Sequence, residues 1–367
     1  MRLICISRDR MKFFVSNLKV KCMKAVVLTG LQKIELRDVP DPERKSGTDV
    51  LLKMAAVGVC GSDIHYYTKG RIGDQIVQYP FIVGHEGSAI VKEVGNRVTR
   101  VKPGDPVVFD PLVVCGQCFQ CLNGRRHTCL HARFLGCPGQ REGCLSEYIV
   151  MPEECCYPIP SEVSLTEAVL VEPMSIGIHS VKFLNNPTSR DIGVLGVGPI
   201  GLSVSSGAQR AGVKSSFVTD KIEDRLNVAK KLGADWTGNP DRSDIVKEIL
   251  EEVPDGLDAV FECCGDQDAL DQAVHLLKPG GSLFIVGIPE DNRISFDISR
   301  MRRKEIVIQN VRRQNECIQA AIDLFQSGRI NTDALLTHRF PFKEAGAAFE
   351  LVANYRDGVV KAVIEIG

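Results

Sequence analysis

Residues 191–220 read DIGVLGVGPIGLSVSSGAQRAGVKSSFVTD. An apolar run, IGVLG, leads directly into Gly196-x-Gly198-x-x-Gly201, then a stretch of helical texture, then a second apolar run, SSFVTD, that stops at Asp220. Strand, glycine turn, helix and strand in that order predict a βαβ unit whose glycines let the backbone approach a pyrophosphate at the helix N-terminus. The glycine pattern alone is weak evidence. It gains weight from the acid about 20 residues on, where a carboxylate would accept hydrogen bonds from the adenosine ribose hydroxyls and repel a 2′-phosphate. NAD is therefore expected in preference to NADP, with Lys221 and Arg225 as the neighbours that would argue for a phosphate. A plain strand-end turn is the competing reading of Asp220.

Working outward, the chain after about Leu170 keeps alternating strand-like and helix-like stretches: IEDRLNVAKKLGA, LDAVFECCG and GSLFIVG follow in turn. That rhythm is the one of a doubly wound parallel sheet. Before it, Val50 to Pro160 is a series of short β-rich runs (VLLKMAAVGV, SAIVKEVG, DPVVFDP, LSEYIVMP) cut by Gly, Pro and Asp, which predicts a compact β-barrel-like domain. The tail from about Gln314 returns to a helix, ECIQAAIDLFQSG, a turn and a last strand, VVKAVIEIG. At 367 residues the chain is long enough for two cores.

Composition excludes several functions. With 45 basic against 46 acidic side chains there is no net field to draw nucleic acid or an anionic membrane. The first 22 residues mix short apolar pieces with Arg and Lys, so they supply neither a signal-peptide core nor a membrane span and read as an extension outside the fold. The 14 cysteines have no secretory context, and the informative ones have metal spacing, so a reducing, cytoplasmic setting is expected.

Cys115, Cys118, Cys121 and Cys129 stand at C-x₂-C-x₂-C-x₇-C spacing, with Gly116 and Gly124 where a backbone would wrap around an ion. Four thiols of this kind predict a structural zinc lobe rather than a chance cluster. A closed four-thiolate site does no chemistry, so the reactive centre must lie elsewhere. Cys60 and His85 offer one thiolate and one imidazole, a donor set suited to zinc with a position left open. A lone Cys or His is more often a packed core residue; here Cys60 is followed by Ser62, Asp63 and His65, and His85 by Glu86. Cys155-Cys156 and Cys263-Cys264 read as small packing residues, and Arg302-Arg303-Lys304 as a solvated face.

Cys60-Gly61-Ser62-Asp63-x-His65, Gly84-His85-Glu86, the four-cysteine lobe, Glu172-Pro173 and the glycine fingerprint, in this order from Lys24 to Gly367, resemble the zinc-dependent medium-chain alcohol dehydrogenases. HYYTKGRIGD, VEPMSIGIH and THRFPF look closest to the polyol branch, the sorbitol and xylitol dehydrogenases. The resemblance implies an α/β fold: a GroES-like β-rich catalytic domain, residues 23–171 and 313–367, interrupted by a Rossmann NAD-binding domain, residues 172–312. It implies two zinc ions per chain. Cys60, His85 and Glu86 would hold the catalytic one, with Glu172 as a fourth ligand or a hydrogen-bond partner of the water beside the metal. Asp63 resembles the acid that orients the zinc-binding histidine. Besides Gly196, Gly198, Gly201 and Asp220, the positions Ile200, Arg225, Val286, Gly287, Ile288, Val311 and Arg313 match NAD contacts, while Tyr66, Glu172 and Arg313 match substrate contacts. Two departures stand out: Ala89 replaces a usual glycine, and Gln314 stands where sorbitol dehydrogenases commonly carry an aromatic.

These parts imply oxidation of a secondary hydroxyl of a polyol to a ketose: zinc lowers the hydroxyl pKa, NAD takes the hydride, and Ser62 and His65 relay the proton outward. The plain readings are a capping serine and a loop histidine. A threonine or other secondary-alcohol dehydrogenase shares every motif named. A non-catalytic zinc- and nucleotide-binding protein would have no need of an open metal site. A small-molecule substrate, no nucleic acid or membrane partner, and a homo-oligomer, dimer or tetramer, are expected.

Overall fold

The computed structural model describes residues 21–289 and 292–367. Of the expected N-terminal extension, residues 1–20 lie outside the described residues, while Cys22 pairs with Pro40 at the start of the first strand. The β-rich runs of the first half form a seven-stranded sheet in the order Cys156–Pro158, Pro106–Phe109, Glu86–Val94, Asp49–Gly58, Lys361–Glu365, Leu336–Pro341, with Tyr148–Pro152 also paired to Asp49–Gly58. Cys22–Gly30, Lys33–Pro40 and Phe81–Ile82 make a three-stranded antiparallel flank. The last strand of the chain thus returns to the middle of the first sheet, against the strand that ends two residues before Cys60.

The second sheet runs Trp236–Gly238, Ser215–Thr219, Asp191–Leu195, Leu257–Glu262, Leu277–Ile285, Val307–Asn310, and every pairing is parallel. Its two central strands are buried at every residue, as strands covered by helices on both faces must be. Strand order reverses between Asp191–Leu195 and Leu257–Glu262, so a ligand crevice is expected at their carboxyl ends, where the glycine turn lies. The α/β fold class read from the sequence is the one observed. No helix among the described residues is long and apolar enough to cross a membrane.

Three helices position the site: α1 (Gly61–Lys69), α2 (Val171–Val181) and α3 (Pro199–Arg210). Helix α2 is buried along most of its length, because it is the shared wall of both sheets. One apolar cluster joins Ala56, Val108 and Val363 of the first sheet, Val171 and Met174 of α2, and Val194, Val218 and Phe261 of the second. Helices α2 and α3 cross at backbone contact: a Cβ on Gly177 would strike the main chain of Ser203.

Two sequence readings need correction. Lys304 is not part of a solvated face; its ammonium donates to the carbonyls of Val274 (3.1 Å), His275 (2.9 Å) and Leu277. It closes the carboxyl end of the Gln267–Leu276 helix, whose last carbonyls have no helical partner. Cys264 is exposed rather than packed, because the strand ends at Glu262 and Cys264 already belongs to the turn after it.

Gly177→Leu should force α2 and α3 apart and destabilise the chain by about 3 kcal/mol or more. Denaturant unfolding measures it; a change within experimental error would show that the helix crossing is not a constraint.

Candidate active site and metal centres

The four cysteines of the lobe converge. Cys118 Sγ lies 3.6 Å from Cys121 Sγ and 3.8 Å from Cys129 Sγ, and Cys129 Sγ lies 3.5 Å from Cys115 Sγ. A tetrahedron with Zn–S bonds of about 2.3 Å has edges of about 3.8 Å, so the donor set fits zinc without rearrangement. The amides of Cys115, Cys118 and His131 donate to these sulfurs at 3.4 Å each. Backbone hydrogen bonds at Cys121 and Leu130 bring the Cys118 thiol down to about 6, into the range where the metal-binding thiolate prevails. Gly116 and Gly124 both have φ of +71°, the left-handed backbone the wrap requires.

The second centre is assembled from three strands and a helix start. Cys60 is the N-cap of α1, immediately beyond the Asp49–Gly58 strand, and His85 immediately precedes the Glu86–Val94 strand. Gly58 and Glu86 are directly opposed, and a Cβ at Gly58 would overlap the Glu86 carboxylate. Cys60, His85 and Glu86 each bring one ligand atom to within 4.8 Å of the others. Ser62 Oγ donates to Cys60 Sγ at 3.3 Å. Asp63, 1% exposed, accepts from the amides of Gly84 (3.1 Å) and Cys60 (3.4 Å) and stands 3.6 Å from His85 Nδ1. Burial alone would depress the His85 pKa, yet Asp63 and Cys60 outweigh it and hold the imidazole well above its ordinary value. A thiol, an imidazole and carboxylates crowded into one buried space are a donor set that a divalent cation satisfies.

Neither glutamate behaves simply. Both oxygens of Glu86 accept from Lys361 Nζ, at 2.8 and 2.6 Å, and the two residues are each 1% exposed. Lys361 also donates to the carbonyl of Val59 at 3.3 Å. Glu172 lies in the first turn of α2, 5% exposed, and its Oε2 has no hydrogen-bond partner among the described residues. Burial raises its pKa to about 7, with Glu86 pushing the same way and His85 and Lys361 opposing. Glu172 is outside the Cys60, His85 and Glu86 set but feels the charge of His85, and its orphaned oxygen is a buried acceptor that a ligand or a water would satisfy.

Around this centre lies a polar wall. The Arg313 guanidinium sits 3.9 Å above the ring of Phe134, and Phe134 is tilted against His85 with ring centroids 5.2 Å apart. Tyr66, 4% exposed, donates to Gln75 Oε1 at 3.2 Å and faces Cys137 Sγ at 3.9 Å. Burial raises the pKa of Tyr66, so it remains a phenol and a hydrogen-bond donor. Burial lowers that of Arg313 to about 10, still cationic at neutral pH, with Glu172 and Tyr66 among its electrostatic neighbours. Ser62 and His65, three residues apart, share one face of α1.

At the carboxyl ends of the parallel strands, Gly196 has φ of +86° and Gly198 caps α3, with Ile200 and Gly201 in its first turn. Asp220 closes this turn from the side: Oδ2 accepts from Val197 N at 2.7 Å and Oδ1 from Ile222 N at 2.8 Å. Val286 and Gly287 donate to the carbonyl of Glu262, Ile288 is exposed beyond them, and Val311 N donates to Ile285 O, which sets these residues along the same edge. Arg225 is buried and donates to Val359 O at 3.3 and 3.4 Å while lying over the ring of Tyr355, so it ties the cofactor side to the C-terminal segment. Sequence reasoning missed Lys361, Phe134 and Cys137. Only Lys361 left a signal, a single charge inside the apolar strand VVKAVIEIG, where a buried lysine must find a partner.

The purified protein should contain two zinc ions per chain. Cys118→Ser should remove one together with thermal stability, and Cys60→Ser the other together with activity while the fold persists. Elemental analysis decides it; a single zinc that survives Cys60→Ser and departs with Cys118→Ser would eliminate the second centre.

Comparison with known proteins agrees with this geometry. Residues 46–161 match the alcohol dehydrogenase GroES-like domain and residues 199–327 the zinc-binding dehydrogenase domain. The chain is 35% identical to sorbitol dehydrogenase of Bacillus subtilis (strain 168) over 93% of its length and 97% of that protein. It is 32% identical to D-xylulose reductase A of Aspergillus oryzae over 89% and 92%. Among solved structures, an alcohol dehydrogenase from E. coli CFT073 complexed with NADH superposes with a TM-score of 0.85 at 27% identity, covering 94% of this chain and 99% of that one. A zinc-binding dehydrogenase structure from Sinorhizobium meliloti 1021, bound to NADP, also gives 0.85, at 28% identity over 94% and 100%. The chain belongs to the zinc-dependent medium-chain alcohol dehydrogenase family and is an oxidoreductase of that family.

Proposed function

We propose that the chain oxidises a secondary hydroxyl of an open-chain polyol to a ketose with NAD as acceptor. The observation that carries the substrate class is Arg313: a desolvated guanidinium beside Glu172 and Tyr66 gives a second hydroxyl of the substrate a charged partner next to the metal donors. Sorbitol dehydrogenase and D-xylulose reductase among the relatives support the same class.

Zinc held by Cys60, His85 and a carboxylate would supply Lewis acidity that favours the deprotonated hydroxyl, and NAD would supply the hydride acceptor. The protein does the rest. Asp63, 3.6 Å from His85 Nδ1, would orient the imidazole, and the Ser62 hydroxyl donates to Cys60 Sγ. Glu86 stands with Cys60 and His85 in the donor set although Lys361 also holds it, and Glu172 keeps an oxygen without a hydrogen-bond partner among the described residues that would meet the metal or the reacting hydroxyl. Ser62, which donates to Cys60 Sγ, and His65 on the same face of α1 would carry the hydroxyl proton outward as the carbinol carbon gives up its hydride to the bound cofactor. Asp220 presents its carboxylate beside the glycine turn, where it would accept from ribose hydroxyls and repel a 2′-phosphate.

A panel of sorbitol, xylitol, ribitol, 2-propanol and L-threonine, followed by NADH absorbance, should rank polyols first. Arg313→Ala should lower kcat/KM for the best polyol by about 100-fold and for 2-propanol far less, because it removes binding energy from the non-reacting part of the substrate. If 2-propanol or L-threonine outruns every polyol, the substrate class is wrong.

Asp220→Ala should shift preference toward NADP, aided by Lys221, as read by kcat/KM with each cofactor. Wild-type preference for NADP would contradict the placement of the ribose on Asp220.

A further inference from the structure

Gln314 follows the substrate-facing arginine directly, yet its side chain, 4% exposed, is wholly engaged by the protein. Nε2 donates to Asp110 Oδ2 at 2.7 Å, across 204 residues of sequence, and Oε1 accepts from Cys317 N at 2.8 Å. Asp110 is itself fixed at the end of the Pro106–Phe109 strand, its Oδ1 accepting from Leu112 N at 2.9 Å. The next residue, Asn315, donates from Nδ2 to the carbonyl of Gly124, inside the four-cysteine lobe, at 2.9 Å. Arg313 and Glu316 on either side have φ of +53° and +55°, a backbone that non-glycine residues hold only when their surroundings impose it.

We infer that Gln314 is a positioning residue, bridging Asp110 to the Cys317 turn so that the Arg313 guanidinium stands on Phe134 before substrate arrives. The inference rests on the polyol reading for its kinetic consequence, though not for its structural one. Arginine side chains are long and lose much freedom when immobilised, so an arginine fixed in advance binds a hydroxyl without bearing that entropic cost at the moment of binding. With residue 314 committed to Asp110, it adds no side-chain contact to the pocket, and recognition of the distal hydroxyl falls on Arg313 and Tyr66. The four-cysteine lobe adds a second anchor. Gly124 lies between Cys121 and Cys129, so the loop that wraps the metal site holds the same segment through Asn315.

Gln314→Leu removes both hydrogen bonds. It should raise KM for the best polyol about tenfold with kcat within twofold of wild type, and leave KM for NAD and kcat/KM for 2-propanol unchanged. Gln314→Glu alone sets two carboxylates together and should show the same split. The reciprocal pair Asp110→Asn with Gln314→Glu restores a donor opposite an acceptor and should recover wild-type KM. A crystal structure of Gln314→Leu without substrate should show the guanidinium displaced from the Phe134 ring. Arginine still stacked on Phe134, no recovery in the double variant, or equal losses for polyol and 2-propanol would each overturn the inference. If the wild type turns over no polyol, the substrate reading falls, and the crystal structure alone decides the role of Gln314.

Discussion

Burying an ammonium and a carboxylate together is costly unless each finds full compensation, and the Lys361–Glu86 pair has it: two short contacts, plus the carbonyl of Val59, at about 1% exposure. Removing either partner would strand a charge in the interior, at a cost of about 3–5 kcal/mol. The pair also links the chain's last strand to the strand that carries Glu86, so the metal donors exist as a set only when the C-terminal segment has returned across the first sheet. The same contact distinguishes two buried carboxylates: both oxygens of Glu86 accept from Lys361, while Glu172, whose Oε2 has no hydrogen-bond partner among the described residues, is raised by burial to about 7.

A second pattern runs through both halves. At several strand ends an acid ties the following turn by accepting backbone amides: Asp63 for Gly84 and Cys60, Asp110 for Leu112, Asp220 for Val197 and Ile222, Glu262 for Cys264 and Gly265. Turns that must leave room for a ligand cannot be filled by bulky side chains, so they are stiffened by charge-assisted hydrogen bonds instead. The functional groups then stand on backbone that is fixed on one side and open on the other.

Helix α2 explains why the two halves act together. It contributes Glu172 at its start and Gly177 at its crossing with α3, and it is buried between the two sheets. A shift of α2 relative to α3 would therefore move the Glu172 carboxylate and the glycine turn that opens α3 at once.

Much of this was legible in the chain. The glycine fingerprint with Asp220, the four-cysteine spacing and the Cys60, His85, Glu86 set are local patterns, and local patterns survive in sequence because ligand geometry demands fixed spacing. The alternation of strands and helices likewise pointed to the α/β class. What depended on the folded chain was which groups face one another across long separations: Lys361 on Glu86, Phe134 under Arg313, Gln314 on Asp110, Lys304 on the end of a distant helix. Such pairings follow from the return of the C-terminal segment and the packing of side chains at close quarters, and neither periodicity nor spacing encodes them. Residue identity and spacing were enough to name the donors and the cofactor fold. Which carboxylate is left free, and which residue holds the arginine, had to come from the packed molecule, because burial and partnership belong to the folded arrangement and not to the residue.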